Sequence, residues 1–156
     1  MSSSPTPSPL SERELVITRE THVPREKLYA GWTSAELYPK WFCPKPWYVK
    51  DVQLDVRAGG FNSMIFCGPN GESFPNRGVY LEVIPNEKLV YTDKFEDPNL
   101  QGDIKVTVLI KPVMGGTDVR ITQSGLPDII PEEMCYLGWQ DSLKQLAQFV
   151  ELPGGA

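Results

Sequence analysis

Histidine is nearly missing from this chain: His22 is the only one among 156 residues. Cysteine is scarce as well, and Cys43, Cys67 and Cys135 are odd in number and widely spread. With no Cys-x-x-Cys or His-x-x-x-His spacing, a zinc site has no visible ligand set, and no metal is expected. The same three cysteines make no disulfide framework, which fits a reducing cytoplasm. No apolar run approaches the roughly 20 residues of a membrane span. Lys and Arg number 15 against 20 Asp and Glu, a net charge of -5, and the basic residues form no cluster. Phosphate backbones need concentrated positive charge, so nucleic acid is not an expected partner. The opening MSSSPTPSPLSE has neither the basic n-region nor the apolar h-region of a secretory signal. A Ser-His-Asp triad, a paired-carboxylate motif and a nucleotide fingerprint are also missing. No catalytic residue is therefore assigned, and no cofactor is expected.

What is present reads as one domain. Residues 1 to 11 are Ser/Pro-rich and have nothing to bury against the entropy of ordering, so a disordered tail is expected there. The domain spans 12 to 152, and a flexible end is expected over 153 to 156. ELVITRETH (14 to 22) alternates and is β-branched, which reads as a strand. In VPREKLYAGW, Leu28 and Trp32 fall four apart on one helical face. TSAELYPKWF offers a Thr/Ser cap and a second short helix that should stop before Pro39. A train of strands follows: YVKDVQLDV, FNSMIF, RGVYLEVI, KLVYTDKF, DIKVTVLI and DVRITQSG. Short turn signals separate most of them (Gly59-Gly60, Asn70-Gly71, Pro85-Asn86, Gly115-Gly116), which implies an antiparallel meander.

From Pro131 to Glu151 the pattern changes period. Cys135, Trp139, Leu143, Leu146 and Val150 fall within a stripe about 80° wide at the helical repeat. Gln140, Lys144, Gln148 and Glu151 lie opposite. Leu137 also lies nearly opposite the stripe and should be exposed, as single leucines often are. A long amphipathic helix of this kind needs an apolar surface, and the sheet is the one large enough. The expected class is α+β: a curved antiparallel sheet, two short helices after the first strand, and a long C-terminal helix across the sheet.

The blocks AGWTSAELYPKWF, DVRAGGFNSMIF, GVYLEVIPNEKLVYT, GGTDVRITQSG and GWQDSLKQLAQFV, in this order and spacing, resemble the START-like (SRPBCC) superfamily. Within it the chain looks most like the family of the heat-shock-protein ATPase activator C-terminal domain, over about residues 14 to 150. The resemblance implies a helix-grip fold with a cavity between the long helix and the sheet. In such a fold the segment after the second short helix runs along the cavity mouth. Relatives in the wider superfamily bind lipids, hormones or polyketides, and a few cyclise or hydrolyse them.

Candidate residues follow from the aromatic and polar content. WFCPKPWYVK (41 to 50) lacks a base beside Cys43, since His22 ends the first strand, so a catalytic thiol is not supported. A small apolar residue in a half-buried turn is expected at Cys43, and a solvated ring at His22. RAGGFNS lacks the Lys-Ser/Thr and helix start of a phosphate loop, so its glycines read as a turn. Trp41 and Phe42 are either core or the wall of a pocket. Leu89, Tyr91, Asp93 and Phe95 share one strand face, Tyr80 and Glu82 another, and Met64 and Phe66 a third. If these face inward, with Trp139 and Leu143 from the helix, they make an apolar pocket with a few polar anchors, the usual makeup of a small-molecule site. For Asp93 and Glu82, solvent is the first expectation and the pocket the second. The expected function is non-enzymatic binding of a small hydrophobic molecule. Two alternatives stand beside it. One is a cyclase or hydrolase using Asp93, Glu82 or a tyrosine as acid/base. The other is a co-chaperone-like module that meets a chaperone or another protein through its surface. The sequence leaves the oligomeric state open, with a dimer as one option.

Overall fold

The computed structural model describes residues 14–43, 45–96, 104–125 and 132–151. The tail 1–11, the end 153–156, and the side chains of Cys135 and Val150 lie outside the described residues. The elements run β1 (Glu14–Thr21), α1 (Arg25–Thr33), a 3-10 turn (Tyr38–Lys40), β2 (Tyr48–Leu54), β3 (Phe61–Cys67), β4 (Ser73–Ile84), β5 (Lys88–Phe95), β6 (Ile104–Val113), β7 (Gly116–Ser124) and α2 (Glu132–Glu151). The seven strands form one sheet in the order β1-β7-β6-β5-β4-β3-β2. All six ladders are antiparallel. The architecture is the expected α+β helix-grip arrangement.

The meander follows from its turns. Gly59, Gly71 and Gly115 take φ of 87°, 88° and 85°, a region that costs glycine nothing, and Asn86 takes 64°. The first strand does what no local signal announces. It crosses to the far edge and pairs with β7 over its whole length, Glu14 opposite Ser124 and Thr21 opposite Thr117.

α2 packs against β1 and α1. Trp139, Leu143 and Leu146 are buried, joined by Ser142 and Ala147, while Leu137 is 55% exposed, as the helical repeat requires. The two helices come close at Gly31, where a Cβ would sit 2.9 Å from Leu146 Cδ1. Leu28 and Trp32 are buried on the inner side of α1.

Three local expectations change. The second helix does not stop before Pro39. It is a 3-10 turn with Pro39 in its first turn, where the missing N–H leaves no bond unmade. Ser34 still caps the approach, its Oγ accepting from the Leu37 N–H at 3.2 Å. β4 begins at Ser73, four residues before Arg77, and carries Pro75. Tyr80 and Glu82 do not share a face. The β4–β5 register shifts between them, so Tyr80 pairs with Tyr91 while Glu82 pairs with Val90. The bulge turns Glu82 to the outer face, where it meets Lys88 Nζ at 3.1 Å.

Candidate binding site

The helical side of the interior is built on tryptophan. Trp32 lies edge-on to Trp41 at 4.9 Å between ring centroids and stacks with Trp139 at 6.1 Å. Trp41 is 1% exposed, and its indole N–H donates to the Gly31 carbonyl at 2.9 Å. Trp41 packs in the buried core cluster. The Trp139 indole N–H donates to Gln123 Oε1 on β7 at 3.0 Å, which ties α2 to the sheet. Leu143, 2% exposed, packs in the same cluster.

The stretch 41 to 43 is stitched to α2. Gln145 Nε2 donates to the carbonyls of Trp41 and Cys43, both at 2.7 Å. The Cys43 N–H donates to Ser142 Oγ at 3.1 Å. These bonds hold Cys43 at φ 81°, a conformation that an L side chain seldom adopts. Cys43 is more deeply buried than a half-buried turn implies, at 4% exposure. Burial is the first cause that pushes its thiol up to about 12, with Cys67 nearby adding to it. A thiol held that high is a poor nucleophile at neutral pH. His22 is exposed, and its Nδ1 lies 3.4 Å from the Gly115 carbonyl, far in chain from Cys43.

From this packed side an arc of rings crosses the inner face of the sheet. Phe42 meets Trp139 at 5.7 Å and Phe66 at 5.9 Å. Phe66 meets Phe95 at 5.2 Å, Phe95 meets Phe74 at 6.4 Å, and Phe74 stacks with Trp47 at 6.1 Å. Phe42, Phe66, Phe74, Phe95 and Trp47 are all only partly buried. The arc is thus apolar and still partly exposed.

Behind it lies a polar floor. Met64, Asn76 and Phe95 sit in one row across β3, β4 and β5. Asn62 is in the next row, opposite Gly78. Beyond that, Tyr80 and Tyr91 face each other with centroids 5.9 Å apart. Asp93 shares the inner face with Tyr91, Leu89 and Phe95. Burial raises the Asp93 carboxyl to about 7. Burial and then Asp93 raise the Tyr80 and Tyr91 hydroxyls. Tyr38, from the 3-10 turn, is raised by burial first and by Tyr91 and Asp93 after it. Where β4 and β5 part, a cleft of about 440 Å³ runs over Arg77–Val79 and Thr92–Glu96, and it includes Asp93.

Strand register and ring contacts put Met64, Phe66, Tyr80, Tyr91, Asp93 and Phe95 on the inner face of the sheet, with Phe42 packed against Phe66; Met64, Tyr80 and Tyr91 are buried there, and Phe42, Phe66, Asp93 and Phe95 are partly exposed. Trp41, Trp139 and Leu143 form the packed helical side, and Glu82 lies outside. Asn62, Asn76 and Tyr38 were missed by the sequence reading. Strand parity carried the signal for two of them. Asn62 keeps step with Met64 and Phe66, and Asn76 keeps step with Tyr80. Tyr38 had no comparable signal in its short turn.

A curved antiparallel sheet gripped by a terminal helix defines a START-like domain. The chain belongs to the family described as activator of Hsp90 ATPase homolog 1-like protein, whose model matches residues 22–151. A crystal structure of a protein from Chromobacterium violaceum is 39% identical, with TM-score 0.86, over 90% of this chain and 98% of that one. One from Nitrosomonas europaea is 29% identical, with TM-score 0.78, over 88% and 94%. An AHSA1-like protein from Aeromonas hydrophila, 20% identical with TM-score 0.71 over 91% and 96%, shares the fold. No curated protein matches the chain. Among the described residues no helix is long and apolar enough to cross a membrane.

Proposed function

We propose that this protein binds a small, largely apolar molecule in the concavity between the sheet and the helices. One observation carries the reading: the contiguous arc of rings from Phe42 to Trp47 is left partly exposed. Contiguous exposed aromatic surface is where an apolar ligand gains most from leaving water. Free thiols at Cys43 and Cys67 fit a cytoplasmic setting for this binder. The test is a panel of apolar compounds with thermal melting and tryptophan fluorescence as readouts. A ligand that binds only the folded chain adds about 2.7 kcal/mol at a hundredfold excess over Kd. Phe66→Ala should weaken that shift, because it removes the middle of the arc. A panel that moves neither signal moves the balance to the surface-acting, co-chaperone-like reading.

Asp93 favours a second reading, in which the concavity is an acid/base site. A carboxyl that burial raises to about 7 is matched to proton transfer at neutral pH. Turnover of a bound ester or polyketide-like compound that is lost in Asp93→Asn would establish it.

A further inference from the structure

Gly78 sits at the centre of a polar ring on the inner face. Asn62 is its partner across the β3–β4 ladder. Asn76 and Tyr80 lie two residues before and after it on the same strand. Asp93 stands opposite, one step from the Arg77–Lys94 pair. A Cβ on Gly78 would collide with the Thr92 carbonyl oxygen. That oxygen has left the regular ladder, for the Val79 N–H donates to Thr92 Oγ1 instead, at 3.1 Å. Asn62 Nδ2 donates to the Thr92 oxygen at 3.4 Å, which turns Asn62 Oδ1 away from it.

Asn62 and Asn76 are each 2% exposed. Asn62 Oδ1 and both polar atoms of the Asn76 amide have no hydrogen-bond partner. Each orphan weighs against the folded chain, because it lost its water without gaining a partner. A leucine at position 76, between Met64 and Phe95, would avoid that cost. We infer that this ring receives the polar end of the bound molecule, and that this end is an uncharged group able both to donate and to accept a hydrogen bond, an alcohol or a phenol. The inference rests on the binding reading above and names the ligand's chemistry.

The hydrogen-bond inventory sets the class. Asn62 Oδ1 requires a donor, and the Asn76 amide offers N–H groups that require an acceptor. A hydroxyl supplies both from one atom. Among the described residues, the inward positions of β3, β4 and β5 carry no Lys or Arg. An anionic end would have to leave water for an inner face that carries no cation among the described residues. An ammonium end would need a carboxylate there, whereas burial favours the neutral acid.

Four probes on one skeleton test this by calorimetry: propylbenzene, 3-phenyl-1-propanol, 3-phenylpropanoate and 3-phenylpropylammonium. The alcohol should bind about tenfold or more tighter than the other three, the equivalent of one or two satisfied buried groups. Equal affinity for the hydrocarbon and the alcohol overturns the ring's role and leaves the binding reading standing. Tightest binding of either ion overturns the uncharged end. Binding by none of the four overturns both. Asn76→Leu should melt at or above the parent temperature while the alcohol's preference shrinks to within about twofold. A lower melting temperature with the preference intact would make the amide merely structural. Asp93→Asn keeps the shape and both hydrogen-bonding senses, so it should retain the preference. Its loss in that variant would mean that the site reads charge, which also overturns the inference.

Discussion

The two ends of the interior are made of similar residues and finished differently. On the helical side, Trp41, Trp139, Cys43, Ser142 and Gln145 close their hydrogen bonds on each other and on the backbone. On the sheet side, Asn62 and Asn76 are as deeply buried and leave three polar atoms unmade. The contrast separates packing from readiness. A satisfied buried network holds the chain in one arrangement, whereas an unsatisfied one is a standing demand for a partner.

The comparison breaks first if the helical side proves dispensable. Trp41→Ala and Trp139→Ala should each cost about 3–5 kcal/mol in chemical denaturation, as large-to-small core changes do. A loss under about 1 kcal/mol at either position would mean that the tryptophan belongs to an open wall.

Next in size is the pH dependence of Asp93. Its carboxyl is raised from 3.8 to about 7 in the folded chain by burial. Below pH 4 it is protonated in both states and the folded chain carries no penalty. As pH rises toward 7 the unfolded chain ionises first, so stability falls, and it levels off above 7. The total is up to about 4 kcal/mol, at 1.36 kcal/mol per unit. Asp93→Asn should remove this slope, so the stability of the parent relative to the variant should decline between pH 4 and 7. A flat difference across that range would place the carboxyl in solvent.

Ser142→Ala sharpens the comparison at smaller scale. It leaves the Cys43 N–H buried without its acceptor and should cost about 1–3 kcal/mol. The Cys43 thiol should then label faster with a thiol reagent, because the turn that buries it loses one of its ties. Unchanged labelling would show that Gln145 alone holds the turn. The smallest effect belongs to Glu82→Gln, which removes an exposed ion pair with Lys88 and should stay within about 1 kcal/mol. A larger cost would bring Glu82 back into the interior.

The elements were largely legible. The helical stripe through Trp139, Leu143 and Leu146 and the exposure of Leu137 follow from a period of 3.6, and the turns at Gly59, Gly71, Asn86 and Gly115 follow from their tolerance of positive φ. The inward faces of β3 and β5 follow from alternation. Alternation failed at Glu82 because one extra residue in a strand reverses every later side chain, and nothing in RGVYLEVI marks where it is inserted. Cys43 was placed in a turn but not beneath α2, because its partners Ser142 and Gln145 lie about a hundred residues away in the chain.

By itself, then, the order of residues determined the periodicities, the turns and the family's block pattern, since each depends on neighbours within a few positions. The pairing of β1 with β7, the burial of the 41–43 turn under α2, and the gathering of Asn62, Asn76, Tyr80 and Asp93 around Gly78 were decided only in three dimensions. Those contacts join residues from separate strands and helices. Which of them meet depends on the ladder register and on a single bulge, and no local propensity encodes either.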